Sequence, residues 1–371
     1  MKKILFAALA VTTLFASCNK DNNDGTTLQG EEAKIIVNIS TPEQRVAGVA
    51  PTGDNTISSY VIFAFDASGG LVGTANGSAA SQELTTTTAA KEIYVVANAP
   101  LSALGSISNK QSLLDYATNL YQASTSNSQY TARWATGNSN ITSFTQNGSG
   151  DFVATVTVAM KFIAARITIA IDNQMTNYVA TATDGSFVLK GVTVLNATST
   201  SKIFGTSLVP ASPSYYAGVA MSGFVYAPTT TVQSFLRNAI SAGVPNSAGY
   251  HFYVFENAAT AVNQFPTIVT LEGEYDGQPV YHSIHLAAYE QFAAGSSSMT
   301  ASVLRGNSYN LTFKLTGNAK KSADGGGDGG GGDYPGDTGG DDDPTTPNVS
   351  AKCTVNLSIS DWTAVTLIKQ F

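Results

Sequence analysis

The chain of 371 residues is long enough for two domains, and its charge excludes a protein that binds nucleic acid through a basic surface. Charged residues make up 12% of the sequence, the net charge is −7, and Lys and Arg form no cluster. Small and β-branched residues abound beside 16 tyrosines and 17 phenylalanines, which is typical of an exported β-rich protein rather than a cytosolic enzyme.

The first segment predicts export. Lys2 and Lys3 precede an apolar run over residues 4–15, which is too short to span a bilayer as a helix and is typical of a secretory leader. Residues 14–18, LFASC, resemble the lipobox of bacterial lipoproteins, which implies acylation of Cys18 and cleavage between Ser17 and Cys18. The polar segment 19–24 resembles the tether that sends such lipoproteins to the cell surface. An ordinary signal peptide with a chance cysteine is the alternative.

Alternation at period two recurs along the first half and predicts strands with one buried face. Ile35, Val37 and Ile39 share one face of the earliest strand. A short helix is expected around residues 113–121. The predicted strands are 33–40, 60–65, 93–98, 152–158, 162–171 and 187–196.

A second series of strands predicts a second β-sandwich. Between residues 318 and 350 the sequence turns to Gly and Asp, which cannot bury apolar surface, so this insert is expected to be disordered. Cys353 has no disulfide partner once Cys18 is acylated. The predicted strands are 215–219, 251–255, 267–275, 280–286, 309–315, 354–359 and 365–371.

Five of these segments together resemble the Bacteroidales fimbrillins, the FimA/Mfa-like subunits of type V pili. They occur in that family's order and read KEIYVVAN (91–98), MKFIAARI (160–167), VTVLN (192–196), FYVFEN (252–257) and LRGNSYNLT (304–312). One departure is that Gly306 follows Arg305, where the family's pattern often goes straight to asparagine. The resemblance implies an all-β fold of two tandem transthyretin-like β-sandwich domains. The expected divisions are 1–17 signal peptide, 18–45 lipid tether and cleavable first strand, 46–203 N-terminal sandwich, and 204–371 C-terminal sandwich.

The resemblance also implies a route of assembly. A lipoprotein precursor reaches the outer membrane, a trypsin-like protease cuts after an arginine that follows the first strand, and a neighbouring subunit's strand fills the vacated groove of the extracellular fimbrium. In this chain the cut would fall between Arg45 and Val46, in a polar stretch flanked by Pro and Gly, and would release the strand of Ile35, Val37 and Ile39. Alternatively, Arg45 is an ordinary solvated loop residue.

The C-terminus contains the candidate donor strands. Val355, Leu357 and Ile359 alternate with polar residues in the pattern of the first strand. Val365, Leu367 and Phe371 continue an alternating face. A strand added head to tail makes a heterologous contact that does not close, so it generates a fibre. Alternatively, these strands only complete the second sandwich of their own subunit.

No arrangement for catalysis or for a cofactor is visible. His282 and His285 are three apart on a predicted strand, so they point to opposite faces and cannot share a metal, and His251 is remote. The aspartates of the insert lack the fixed spacing of a calcium loop. Trp134 and Trp362 would bind sugar only if exposed.

The predicted function is that of a structural fimbrial subunit supporting cell adhesion and biofilm formation. Its expected partners are identical or related pilin subunits, the outer membrane, the maturation protease and a host or bacterial surface ligand, with no nucleic acid. The alternative function is a surface-anchored monomeric adhesin or glycan-binding lipoprotein.

Overall fold

The structure is a computed structural model. It describes residues 30–40, 57–120, 133–175, 187–205, 214–219, 230–257, 265–275, 278–286, 302–317, 353–361 and 367–369. No helix in these ranges is long and apolar enough to cross a membrane.

The described part of the chain is built mainly from strands. The strands of the first half are β1 (Glu32–Ser40), β2 (Tyr60–Asp66), β3 (Leu71–Gly77), β4 (Ser81–Thr87), β5 (Ala90–Ala97), β6 (Ala117–Asn119), β7 (Ala135–Asn140), β8 (Thr145–Gln146), β9 (Phe152–Ala159) and β10 (Lys161–Phe162). The strands of the second half are β11 (Ala165–Met175), β12 (Phe187–Leu195), β13 (Ala197–Thr198), β14 (Thr200–Lys202), β15 (Tyr215–Ala217), β16 (Thr230–Val232), β17 (Arg237–Ala239), β18 (Tyr250–Val254), β19 (Ile268–Tyr275), β20 (Gln278–His285), β21 (Asn307–Gly317), β22 (Cys353–Asp361) and β23 (Leu367–Lys369). The helical segments are α1 (Leu101–Leu104), α2 (Lys110–Leu114) and the 3-10 turns Ser234–Leu236 and Ser241–Gly243.

Two sheets form the first sandwich. Sheet 1 has the order β4-β1-β9-β8, and sheet 2 has the order β10-β7-β5-β2-β3. Strands β2 and β5 are interior to sheet 2, and their nearly continuous apolar runs are buried, as a strand covered on both faces requires. Apolar residues of both sheets belong to one buried cluster.

Two further sheets form the second sandwich. Sheet 3 has the order β18-β11-β21-β22-β23, and sheet 4 has the order β17-β12-β19-β20. Each sandwich has its first strand in the interior of a sheet: β1 runs parallel to β9 and antiparallel to β4, while β11 runs parallel to β21 and antiparallel to β18. The all-β sandwich fold expected from the sequence is therefore present.

The expected boundary between the sandwiches at 203/204 needs correction. Strand pairing passes from sheet 2 to sheet 3 between β10 and β11, about forty residues earlier, and β12 already belongs to sheet 4. The predicted strand 162–171 is interrupted at this point. Residues near 203 lie at the contact between the sandwiches, because β14 crosses back to pair with β6. Alternation along the chain could not reveal this, since pairing joins residues far apart in sequence.

Most of the strands that were predicted outside this region were found. The predicted helix at 113–121 was wrong in its position: α2 ends at Leu114, its start is fixed by Asn109 as N-cap, and residues 117–119 form β6. Strands β3, β4 and β7 were missed because their polar residues lack strong alternation. The strands of two or three residues, β6, β8, β13, β14, β16 and β17, were also not predicted. The Gly/Asp insert 318–350 lies outside the described residues.

Candidate functional site

The first strand, β1, lies in the interior of sheet 1, between β4 and β9; this position is here called the seat of β1. Seven residues of β1 pair with β4 in the antiparallel sense, from Glu32 with Thr87 to Asn38 with Ser81. Eight residues pair with β9 in the parallel sense, from Ala33 with Phe152 to Ser40 with Ala159. Because both edges of β1 are paired, its removal would leave two strand edges facing an empty position.

One face of β1 fills the core of the first sandwich. The predicted residues Ile35, Val37 and Ile39 are buried on this face, with exposed fractions of 0%, 0% and 8%, and Ala33 lies beside them. The opposite face is open to solvent, where Ile36 is 37% exposed. The alternation expected from the sequence therefore matches the placement of these side chains.

Both ends of the seat are closed by backbone hydrogen bonds. At the start, the amide of Thr88 donates to the carbonyl of Glu31 over 2.8 Å. Gly30, two residues before β1, has φ +103°, and a Cβ there would lie 2.8 Å from the amide nitrogen of Ala89, so only glycine fits. At the far end, the amide of Met160 donates to the carbonyl of Ser40 over 3.1 Å.

One ion pair crosses the solvent face of the seat. Lys34 Nζ lies 3.4 Å from Glu83 Oε1 of β4, and both side chains are about half exposed. A pair of this kind contributes little to stability because water screens it. The seat is therefore held by strand pairing and apolar burial rather than by charge.

The C-terminal segment from β22 onward, here called the tail, contributes β22 and β23 to sheet 3 of the second sandwich, whereas β1 lies in sheet 1 of the first. Strand β22 pairs with β21 at nine positions, from Asn307 with Asp361 to Leu315 with Cys353. Val355 and Leu357 of β22 are buried in their own sandwich. Strand β23 pairs with β22 at only three positions and forms the edge of sheet 3.

The remaining predicted residues fall into two groups. Ile359 and Leu367 lie on β22 and β23 and are paired with each other in register. Six others lie outside the described residues: Ser17, Cys18, Arg45, Val46, Val365 and Phe371.

Strands β4 and β9 were not identified from the sequence as the two strands that flank β1. Strand β9 was expected as a strand but not as a parallel neighbour, and β4 was missed because most of its residues are polar. The one sign of a strand in β4 is that Leu84 and Thr86, two residues apart, are both buried on the same face. Leu84 pairs with Ile35 in register.

Two histidines and one tryptophan that were considered for metal or sugar binding are buried within the fold. His282 and His285 are both buried on β20, at an odd spacing that puts them on opposite faces of the strand. Trp134 is fully buried, so it presents no ring to a sugar. Within the described ranges, no group of three or more His, Cys, Asp and Glu side chains is placed to hold a metal ion.

Two family models match this chain. The model of the major fimbrial subunit protein (FimA) matches residues 33–186, beginning at β1. The model of the FimA4 pilin C-terminal domain matches residues 157–280. This chain belongs to the fimbrillin family. The fimbrillin is therefore a structural subunit of an extracellular fimbria, and other pilin subunits are its partners.

Solved structures agree with this assignment. A protein from Bacteroides eggerthii for which a role in cell adhesion has been proposed is 26% identical to the fimbrillin, with a TM-score of 0.68 and coverage of 91% of this chain and 98% of the other. A fimbrilin (FimA) from Porphyromonas gingivalis is 19% identical, with a TM-score of 0.61 and coverage of 90% and 99%.

The tip fimbrial protein Mfa3 from Porphyromonas gingivalis is 14% identical, with a TM-score of 0.52 and coverage of 90% and 100%. At these identities the two Porphyromonas proteins show a shared fold only. No curated protein sequence matches the fimbrillin significantly.

Proposed function

We propose that this fimbrillin is exported as a lipoprotein through Cys18, is matured by proteolysis after Arg45, and polymerises by donor-strand exchange. The resulting fimbriae support cell adhesion and biofilm formation. The proposal rests on membership of the family and above all on one observation: β1 is a paired, buried interior strand that lies immediately before the proposed cleavage site.

The seat of β1 requires an occupant. Ile35, Val37 and Ile39 each contribute about 1.5 to 3 kcal/mol through burial, so loss of β1 costs on the order of 5 to 9 kcal/mol before hydrogen bonds are considered. This is comparable with the whole stability of a typical domain. A subunit that has lost β1 is therefore driven to accept another strand.

The proposed cut separates β1 from the rest of the subunit. Arg45 follows the end of β1 by five residues, and cleavage there also removes Cys18 with its lipid. A trypsin-like protease of the cell surface is the proposed partner for this step. Release from the membrane and opening of the seat would then occur together.

The tail supplies the donor. Val355 and Leu357 fill the core of their own sandwich, which favours retention of β22 in sheet 3. The segment after Asp361 is better placed to leave, because β23 is an edge strand with three paired positions. We therefore assign Val365, Leu367 and Phe371 to the seat of the next subunit, with Val355, Leu357 and Ile359 as the alternative donor set.

Cysteine crosslinking tests the proposal and separates these donor sets. The unlipidated precursor is prepared with Leu84→Cys and Cys353→Ser, and Val365, Leu367 and Phe371 are replaced in turn by Cys. After trypsin treatment, we expect a new N-terminus at Val46, SDS-resistant ladders, and disulfides between subunits.

A second preparation carries Leu84→Cys and retains the native Cys353. Disulfides between Cys353 of one subunit and the cysteine at position 84 of the next would identify β22 as the donor. Glu83→Cys is the matched control, because Glu83 pairs with Ile36 on the solvent face of β1. Complete cleavage at Arg45 that yields only monomers would contradict polymerisation. That outcome would favour the surface-anchored monomeric adhesin or glycan-binding lipoprotein, whose ligand lies on a host or bacterial surface.

A further inference from the structure

One short segment crosses from the second sandwich back to elements of the first, and its Ile203 lies in the buried apolar cluster that both sandwiches share. Strand β14 follows strands of the second sandwich but forms a two-stranded sheet with β6, which lies in the chain between β5 and β7 of the first sandwich. The amide of Leu120 donates to the carbonyl of Ser199 over 2.7 Å, and the amide of Ile203 donates to the carbonyl of Tyr116 over 3.1 Å. These backbone bonds attach residues 199–203, here called the crossing segment, to the first sandwich.

Arg305 holds the same segment from the side of the second sandwich. Its Nη1 donates to the carbonyl of Ile203 over 3.0 Å, and its Nη2 donates to the carbonyl of Lys202 over 3.0 Å. Nη2 also lies 3.2 Å from Ser201 Oγ. One guanidinium therefore bonds to three consecutive residues of the crossing segment.

Glu256 completes this arrangement. Arg305 Nη2 donates to Glu256 Oε1, and Ser201 Oγ donates to the same oxygen over 3.0 Å. The side chain of Glu256 is fully buried and that of Arg305 is 15% exposed. A buried carboxylate is tolerated only when it is paired. Glu256 Oε2 has no hydrogen-bond partner among the described residues, so Arg305 is the main compensation for this charge.

The backbone holds the two charged residues beside each other. Asn257, next to Glu256, exchanges two backbone hydrogen bonds with Val303, of 2.8 and 3.0 Å. After Arg305 the chain turns at Gly306, which has φ +71° and donates its amide to the carbonyl of Ala164 over 2.8 Å. The φ of +71° is one that L side chains rarely adopt, so it favours glycine where the sequence departed from the expected pattern; a Cβ there would also displace the Lys161 side chain.

We propose that Glu256 and Arg305 form a lock that fixes the second sandwich against the first through the crossing segment. This assigns a physical role to two segments that identified the family, FYVFEN and LRGNSYNLT. The consequence for assembly rests on the proposed function: the seat is in the first sandwich and the tail leaves the second. The relative orientation of the sandwiches therefore sets the direction in which each subunit presents its donor.

Amide hydrogen exchange of the monomeric precursor tests the lock. Arg305→Met removes the grip, and we expect the amides of Leu120 and Ile203 to exchange about 100-fold faster, since breaking a buried pair exposes the bonds that it supports. Arg237→Met is the matched control. Arg237 forms a bidentate pair with buried Glu272 between β17 and β19, with distances of 2.6 to 3.1 Å, and does not contact the crossing segment.

The control variant should accelerate exchange in sheet 4 and leave Leu120 and Ile203 unchanged. The double variant Glu256→Met and Arg305→Met removes the unpaired buried charge along with the grip. In Arg305→Met the unpaired carboxylate of Glu256 should also lower protection in β19 and β21. We expect the double variant to restore protection in these two strands while Leu120 and Ile203 still exchange rapidly.

The lock is overturned if Arg305→Met leaves Leu120 and Ile203 protected, or if the double variant restores their protection. Uniform acceleration of β19, β21 and the crossing segment in the double variant would also overturn it, because the pair would then serve general stability. These measurements use monomers, so an absence of fibres from wild-type protein counts against the proposed function and not against the lock.

Discussion

Replacing Ile35 with alanine tests whether β1 closes the first sandwich. Ile35 is fully buried and pairs with Leu84 on one side and Ala154 on the other. An Ile to Ala change at such a site costs about 2 to 5 kcal/mol, from lost burial and the cavity that remains. Ile36→Ala is the matched control on the same strand: Ile36 is 37% exposed, so its replacement should cost below about 1 kcal/mol.

Trp134 provides a probe for this experiment because it is buried in the first sandwich. The unlipidated precursor carries Trp362→Phe, so that fluorescence in urea reports Trp134 alone. With a slope of about 2 kcal/mol per molar urea, a loss of about 3 kcal/mol lowers the midpoint by about 1.5 M. Ile36→Ala should lower it by less than about 0.5 M.

Equal midpoints for Ile35→Ala and Ile36→Ala, at unchanged slope, would refute the reasoning that β1 is held by its buried face. The same pair of variants also predicts assembly rates after cleavage at Arg45. A weaker first strand leaves its seat sooner, so ladders should form faster from Ile35→Ala than from Ile36→Ala.

Truncation after Asp361 should leave a folded subunit that no longer extends a fibre, because β22 remains in sheet 3. Truncation after Ser350 should also destabilise the second sandwich, since it removes the buried side chains of Val355 and Leu357. Circular dichroism melts measure the stability of the two truncated subunits, and electron microscopy shows whether they form fibres. Normal fibres from either truncation would contradict the donor assignment. Burial raises the pKa of Tyr215 to about 12 from the ordinary value of 10, so the folded state holds the phenol proton more tightly than the unfolded state does. The contribution of Tyr215 to the free energy of unfolding is therefore complete below pH 10 and is lost as pH rises through 12. Urea midpoints between pH 9 and 12 should therefore fall less steeply in Tyr215→Phe than in wild type, and parallel curves would contradict this.

Much of the candidate site was predictable from local pattern. The alternation of Ile35, Val37 and Ile39 correctly indicated which face of the first strand is buried, because side chains on a strand point alternately to its two sides. The buried positions Val355 and Leu357 followed from the same rule. The neighbours of these strands were not predictable in this way.

Non-local pairing explains the remaining differences. Ile35 meets Leu84 and Ala154, which lie 49 and 119 residues later in the chain, and nothing in the alternation of one strand specifies its partners. The polar strand β4 was missed because its residues lack strong alternation. The boundary near 203 was placed too late because the crossing segment returns to β6 after β11 and β12 have joined the second sandwich.

The all-β class, the positions of most strands and the family could be recognised from the sequence, since alternation and short sequence segments are local properties; the export leader stays a prediction. Three features are visible only in the folded chain: β1 is an interior strand parallel to β9, β22 completes its own sandwich, and Glu256 pairs with Arg305. These features depend on hydrogen bonds and charges that join distant parts of the chain, and such contacts exist only once the sheets have formed.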